Sequence, residues 1–202
     1  MTVERTTTRR ERRIAARQKR ILEAAATVFI EKGYERATTR EIADTADVSE
    51  GTLYNYFPDK EAILSAYFQN KIADSGQELG SRLLSAVNIS EKLAFLMDFL
   101  YQTLRDDRAL AGIYIRFRLK ELGDLKEFTH SGLMEGVMIA MFKAAQENDE
   151  IRSDLPPALL ARNFHFLFMS FFIFNQQENL SQGNQIEIER IIDLFLHGAS
   201  TN

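Results

Sequence analysis

Side chains that could carry covalent or metal chemistry are few in this sequence and lie far apart. Cysteine is absent, and the histidines are only His130, His165 and His197. No two histidines form an HxxxH pair and there is no thiolate, so neither a zinc nor an iron site is expected. The nucleophile-elbow, phosphate-loop and dinucleotide glycine patterns are all missing. Carboxylates are plentiful but sit in charged runs such as Asp106-Asp107 and Glu147-Asn148-Asp149-Glu150, and no catalytic pair is nominated. The sequence therefore predicts no enzyme, no metal and no cofactor. What stands out is a cluster of hydrogen-bonding groups in TTREIADTADVSEGTLYNYFPDK, residues 38–60. Hydroxyls, phenols, an amide and an ammonium in one short stretch are groups that meet phosphate oxygens and base edges.

Such groups act only if rigid elements aim them, and the same stretch carries the signals for two short helices and a third. Thr38 with Glu41 three residues on is a capping-box pattern, and Ile42, Ala43 and Ala46 give the first helix an apolar edge. Asp47-Val48-Ser49 turns the chain. Ser49 is the natural cap of a second helix, with Leu53 and Phe57 facing inward. Pro58 stops it and Asp59 caps the next. Two short helices joined by a tight turn form a helix-turn-helix, whose second helix enters a DNA major groove.

Placing the apolar residues inward leaves Glu50, Gly51, Thr52 and Asn55 on the outer face of the second helix. Thr52 suits a thymine methyl or a hydrogen bond, and Asn55 an adenine edge or a phosphate. Gly51 permits close approach of the backbone to DNA. Glu50 either accepts from a cytosine amino group or serves as a first-turn partner of the helix dipole. Thr38 and Thr39 lie at a helix N-terminus, where an anion is welcome; Thr38 can cap, contact phosphate, or do both. Tyr56 is read either as a prop beneath the second helix or as a DNA contact.

A net charge of −4 looks unfavourable for a DNA binder until it is resolved along the chain. Residues 1–20 hold eight Arg and Lys against Glu4 and Glu11, a balance of +6. Residues 21–60 carry −4 and residues 61–202 carry −6. Positive charge is thus concentrated at the N-terminus, either as a phosphate-contacting arm or as a solvated basic tail. No apolar run follows it, so it is not a signal peptide. The most apolar run, FHFLFMSFFIF at 164–174, is about half the length of a membrane span. It is expected to be a buried helix of a protein that resides in the cytoplasm.

Taken in order, the expected domains are a mobile basic arm over 1–12, a helix-turn-helix domain over 13–58, and a helical domain over 59–202. A first helix over about 13–32 ends at Gly33. A helix from Asp59 runs unbroken through EAILSAYFQNKIADSGQEL, so that rotation of one domain can reach the other. Later helices are expected from Ser90, from about Arg108, from near Thr129 or Ser131, from Pro156-Pro157 to about Gln177, and from about 184 to 198. No strand is expected; the class is all-α.

The pattern from Ile21 to Leu64 resembles the DNA-binding domain of the TetR family of bacterial transcriptional regulators. The match is carried by Gly33-Tyr34, Thr38-Thr39, Ile42-Ala43, Val48-Ser49, Gly51-Thr52-Leu53-Tyr54, and Phe57 with Lys60 and Glu61. The resemblance implies a homodimeric repressor, with a reading head on each subunit and an effector site in the C-terminal domain. It implies release from a palindromic double-stranded DNA operator when a small molecule spreads the two heads. It also implies phosphate contacts by Tyr54 and Lys60. A helical ligand-binding or scaffold protein without operator function is the alternative, as is an activator or a corepressor-dependent regulator.

Fifteen Phe and six Tyr with no Trp make the chain rich in aromatics. Phe95, Phe99, Tyr114, Phe117, Phe164 and Phe168 either line an apolar effector cavity or pack the core. Arg116, Arg118 and His165 are the polar residues most embedded in apolar runs, and one of them could meet an anionic head group. The helices over about 155–178 and 184–198 are the candidates for the dimer contact, because the first is apolar nearly all round.

Overall fold

The computed structural model describes residues 8–123, 133–175 and 183–198, which form ten helices and no strand among the described residues. The chain divides into two compact units, 1–70 and 71–202.

The first unit begins with α1, Arg9–Lys32. Residues 9–12, expected in a mobile arm, are instead its first turn. The reason is a capping box: the Thr8 hydroxyl accepts from the Glu11 N–H, and the Glu11 carboxylate accepts from the Thr8 N–H at 2.7 Å. Gly33 closes α1 at a φ of 77°, a conformation open to glycine, and its N–H returns to the Phe29 carbonyl. Next come α2, Thr39–Thr45, α3, Glu50–Tyr54, and α4, Lys60–Asp74. Thr38 and Ser49 cap α2 and α3 as their residue types suggest, and Thr38 and Glu41 complete the second capping box. Ile21, Ala25 and Phe29 of α1, Ile42 and Ala43 of α2, Leu53 of α3, and Ile63, Leu64 and Phe68 of α4 are buried and make one small core. Phe29 and Tyr34 close its end with ring centroids 5.2 Å apart.

The second unit holds α5, Gly76–Ser85, α6, Ile89–Arg105, α7, Arg108–Gly123, α8, Leu133–Glu147, α9, Pro157–Phe174, and α10, Gly183–His197. The unbroken helix expected from Asp59 is two helices. α4 ends at Asp74 and α5 starts at Gly76, with Ser75 between them at φ −92° and ψ 1°. The expected cap Ser90 also gives way. Asn88 caps α6, its side-chain oxygen accepting from the Glu91 N–H, because an amide oxygen two residues earlier already meets the first free donors. Thr129, Ser131 and His130 lie outside the described residues. α9 ends at Phe174, short of Gln177, where the buried Asn175 turns its amide onto the Phe171 carbonyl at 3.0 Å.

In this unit α6 is central, packing against α5, α7, α8 and α10, while α8 packs along α9. Lys71 and Asp107 form a half-buried ion pair at 2.8 Å. By length and composition α9 could cross a membrane. In the fold it is a core helix on one side: Ala161, Phe164, Phe168, Met169, Phe171 and Phe172 are buried. On the other side Phe166, Ile173 and Phe174 are exposed, as are Ile186 and Leu194 of α10.

Candidate nucleic-acid interface and effector region

The turn between α2 and α3 is short because Asp47 takes a left-handed conformation, φ 50°, which Asp tolerates better than most residues. Its N–H reaches the Asp44 carbonyl, and the Val48 N–H reaches that of Ala43. From α1, the Arg20 guanidinium donates to the Asp47 carbonyl at 2.8 Å. The turn is thus held from both sides, and with it the angle between the two helices.

On α3, Glu50, Gly51 and Asn55 are exposed and Thr52 is half-buried. A Cβ placed on Gly51 would meet nothing within 4 Å, so the fold itself does not require glycine there. The Thr52 hydroxyl is 2.8 Å from that of Ser49, which steers it toward the cap. Glu50 stands 4.0 Å from the Arg40 guanidinium, a loose pairing between exposed groups. Tyr54 is 49% exposed, and its phenol is 2.9 Å from the Thr39 hydroxyl, linking α3 to the start of α2. Thr38 and Thr39 therefore come together with Tyr54, and Thr38 acts at least as a cap. Its partner Glu41 is held at a pKa of about 2, first by the Lys32 ammonium at 2.6 Å and then by the Thr38 N–H and hydroxyl.

Lys60 is placed differently from a simple phosphate ligand. Its ammonium donates to the carbonyls of Tyr34 at 2.7 Å, Ala37 at 2.9 Å and Glu35 at 3.3 Å. It also lies 4.6 Å from the centre of the Tyr34 ring. All three ammonium protons are directed at the loop between α1 and α2. The Tyr34 phenol is pushed up to about 12, chiefly by burial and then by the carboxylates Glu61, Asp59 and Glu35. Sequence reading could not find this clamp, since its acceptors are backbone carbonyls more than twenty positions upstream.

The N-terminal positive charge proves to be a helical feature. Arg9, Arg12, Arg13 and Arg17 share one face of α1 at spacings of three, four and eight. With Arg10, Ile14 and Tyr56 they line a groove of about 910 Å³. Its lining thus combines five arginines with the apolar Ile14 and the ring of Tyr56. Tyr56 is half-buried, its ring 6.5 Å from that of Phe57, and it lines the groove.

In the second unit the effector candidates separate by burial. Phe164 is enclosed between Phe142 and Phe195 at centroid distances of 6.2 and 5.3 Å. Phe168 is buried against Phe172 at 6.3 Å. Phe95, Phe99, Tyr114, Phe117 and Arg118 are half-buried, and Arg116 is exposed. His165 is also half-buried, but its Nδ1 is sealed from solvent with no hydrogen-bond partner. Burial first, and the Arg118 charge second, lower its pKa to about 4, so the ring is neutral at physiological pH. No cluster of three or more metal-ligating side chains occurs among the described residues.

The described architecture is a braced helix-turn-helix followed by an all-helical unit, and comparison shows what it resembles. Residues 21–71 match the model of bacterial regulatory proteins of the tetR family. The chain is 33% identical over 91 residues to the fatty acid metabolism regulator protein of Bacillus subtilis, covering 45% of this chain and 47% of that one. It is 27% identical over 138 residues to the transcriptional repressor KstR of Mycobacterium tuberculosis, covering 68% and 62%. In both cases it spans less than two thirds of the relative's length. Among solved structures, the TetR-family repressor FadR of Thermus thermophilus in complex with lauroyl-CoA superposes with a TM-score of 0.73 at 23% identity, over 92% of this chain and 96% of that one. FadR of Bacillus subtilis in complex with stearoyl-CoA gives 0.66 at 20%, over 90% and 99%. At those identities the likeness carries the fold. The match to the tetR family of bacterial regulatory proteins covers residues 21–71, and the solved structures extend the likeness in fold to the remainder.

Proposed function

We propose that this protein is a transcriptional repressor, not an enzyme, that binds a palindromic operator as a homodimer in the cytoplasm and leaves it when a largely apolar molecule enters the C-terminal unit. The observation that carries the reading is the braced α2–α3 turn, with the exposed face of Glu50, Gly51 and Asn55 beside the arginine groove of α1. In this reading α3 meets base edges through Thr52, Asn55 and Glu50, while Tyr54, Thr39 and the arginines meet phosphate. Lys60 contributes by fixing the loop that carries Thr38. The reading head is the segment within 13–58, and the effector and dimer functions belong to 59–202.

Support for the dimer comes from the apolar residues that α9 and α10 leave exposed: Phe166, Ile173, Phe174, Ile186 and Leu194. Two copies of the α9–α10 pair would bury them as a four-helix, self-complementary interface. Support for the effector class comes from the half-buried aromatics of α6 and α7, and from the long-chain acyl-CoA molecules bound by two proteins of the same fold. Acyl-CoA thioesters are accordingly the effector class put forward.

Fluorescence anisotropy with DNA from upstream of the protein's own gene tests the reading. The expected result is sequence-selective binding that weakens steeply with salt, and release by dodecanoyl-CoA. Binding that is equal on scrambled DNA and insensitive to salt overturns it. Light scattering should give twice the chain mass, and Phe174→Glu should give the monomer mass.

A further inference from the structure

Among the described residues, His165 Nδ1 is a polar atom shut off from water that has no hydrogen-bond partner. Buried polar atoms are almost always paired, and one left alone costs free energy, so the exception calls for a physical cause. One turn away on α9 lie the buried Ala161, Phe168 and Met169 and the exposed Arg162, and none of them is a hydrogen-bond partner of Nδ1. The cation felt at the ring is Arg118 of α7, which lies beside the half-buried Phe117. α7 and α9 thus contribute one guanidinium and one half-buried imidazole with a sealed Nδ1, within electrostatic reach of each other.

That arrangement selects the sign of the group it can take. A ligand donating a proton to Nδ1 would bring its positive end toward Arg118. A ligand oxygen would accept from the ring N–H and turn its negative end toward the guanidinium. We propose that His165 is the polar recognition point of the effector site, donating its Nδ1–H to the acyl oxygen of an otherwise apolar ligand, with Arg118 favouring that oxygen electrostatically. The oxygen belongs either to the carbonyl of an ester or thioester or to a carboxylate. The proposal rests on the ligand-responsive reading given above and adds which atom of the protein senses which atom of the ligand.

The test measures binding to the full-length chain of dodecanoyl-CoA, of S-dodecyl-CoA, its thioether without the carbonyl oxygen, and of dodecanoate. For the wild type the thioester is expected to bind about tenfold tighter than the thioether, the gain of about one hydrogen bond. His165→Leu should erase that difference, while the melting temperature of the ligand-free protein stays level or rises, because an unpaired polar atom has been removed. His165→Asn, whose amide stands near the place of Nδ1, should keep part of the preference. If dodecanoate alone is tightened by His165 and the two CoA compounds bind equally, the oxygen is a carboxylate and the proposal stands in that form. Equal effects of His165→Leu on all three ligands overturn the proposal and leave the acyl-CoA reading in place. Failure of all three to bind the wild type overturns that reading and the proposal with it.

Discussion

In the first unit the polar side chains around the turn are tied to named partners: Lys60 to three carbonyls, Arg20 to the Asp47 carbonyl, Tyr54 to Thr39, Glu41 to Thr38 and Lys32. In the second unit His165 Nδ1 is buried and has no hydrogen-bond partner among the described residues. A surface that reads a rigid duplex gains from groups fixed before contact, since little side-chain freedom remains to be lost on binding. A site for a small molecule gains from leaving one donor for the ligand to satisfy.

The comparison breaks most visibly if the arginine face of α1 is removed. Replacing Arg9, Arg12, Arg13 and Arg17 together by Gln should weaken operator binding about a thousandfold near 0.1 M salt. The slope of log K against log salt should flatten by about 3.6 if each arginine neutralises one phosphate. Anisotropy titrations over a salt series measure both, and an unchanged slope would show that the groove does not touch DNA.

The second unit should respond to acid at a higher pH than the first, whose Glu41 loses its contribution only below about 4.5. Unfolded histidine titrates near 6.5, whereas His165 in the fold titrates at about 4. Between those values the unfolded chain binds the extra proton, so stability is full above pH 6.5 and falls as pH drops toward 4. The loss is at most about 3 kcal/mol. Urea unfolding at pH 7 and pH 4.5 should show a drop in the wild type that shrinks in His165→Leu; an equal drop in both would remove His165 as its source.

Lys60→Ala should destabilise the reading head by about 2 kcal/mol, because three carbonyls lose a charged donor. Its DNA affinity should fall through that loosening, so the salt slope should stay near the wild-type value. A stable head with a slope lower by about one would instead make Lys60 a phosphate contact. Gly51→Ala gives the smallest expected effect on the fold. The site has open space around it, and alanine suits a helix by about 0.5–1 kcal/mol. Stability should rise slightly while operator binding weakens about tenfold, and undiminished binding would mean that DNA does not approach the α3 backbone there.

Features set by neighbours three or four positions apart were legible without coordinates. Thr38 with Glu41, Ser49 as the α3 cap, Gly33 after α1 and the inward Leu53 all follow from such local rules. The capping box of Thr8 and Glu11 obeys the same rule but was masked by the run of arginines around it. The break between α4 and α5 had only Ser75-Gly76 to announce it, inside an otherwise helical pattern. The backbone acceptors of Lys60 and Arg20 and the enclosure of His165 Nδ1 were not legible, because they are made by segments distant in sequence. Periodicity likewise could not separate the enclosed Phe164 and Phe168 from the half-buried Phe95 and Phe99, since the same spacing serves a packed core and a cavity wall.

The capping box at Thr8 has a thermodynamic consequence for the arginine face. A disordered basic arm must lose about 1–2 kcal/mol of backbone freedom per residue when it settles onto phosphate. An arm whose first turn is already closed by Thr8 and Glu11 has lost that freedom at folding. Operator binding through it should then lack the large negative heat-capacity change that marks folding coupled to binding, and calorimetry across a range of temperatures would register the difference.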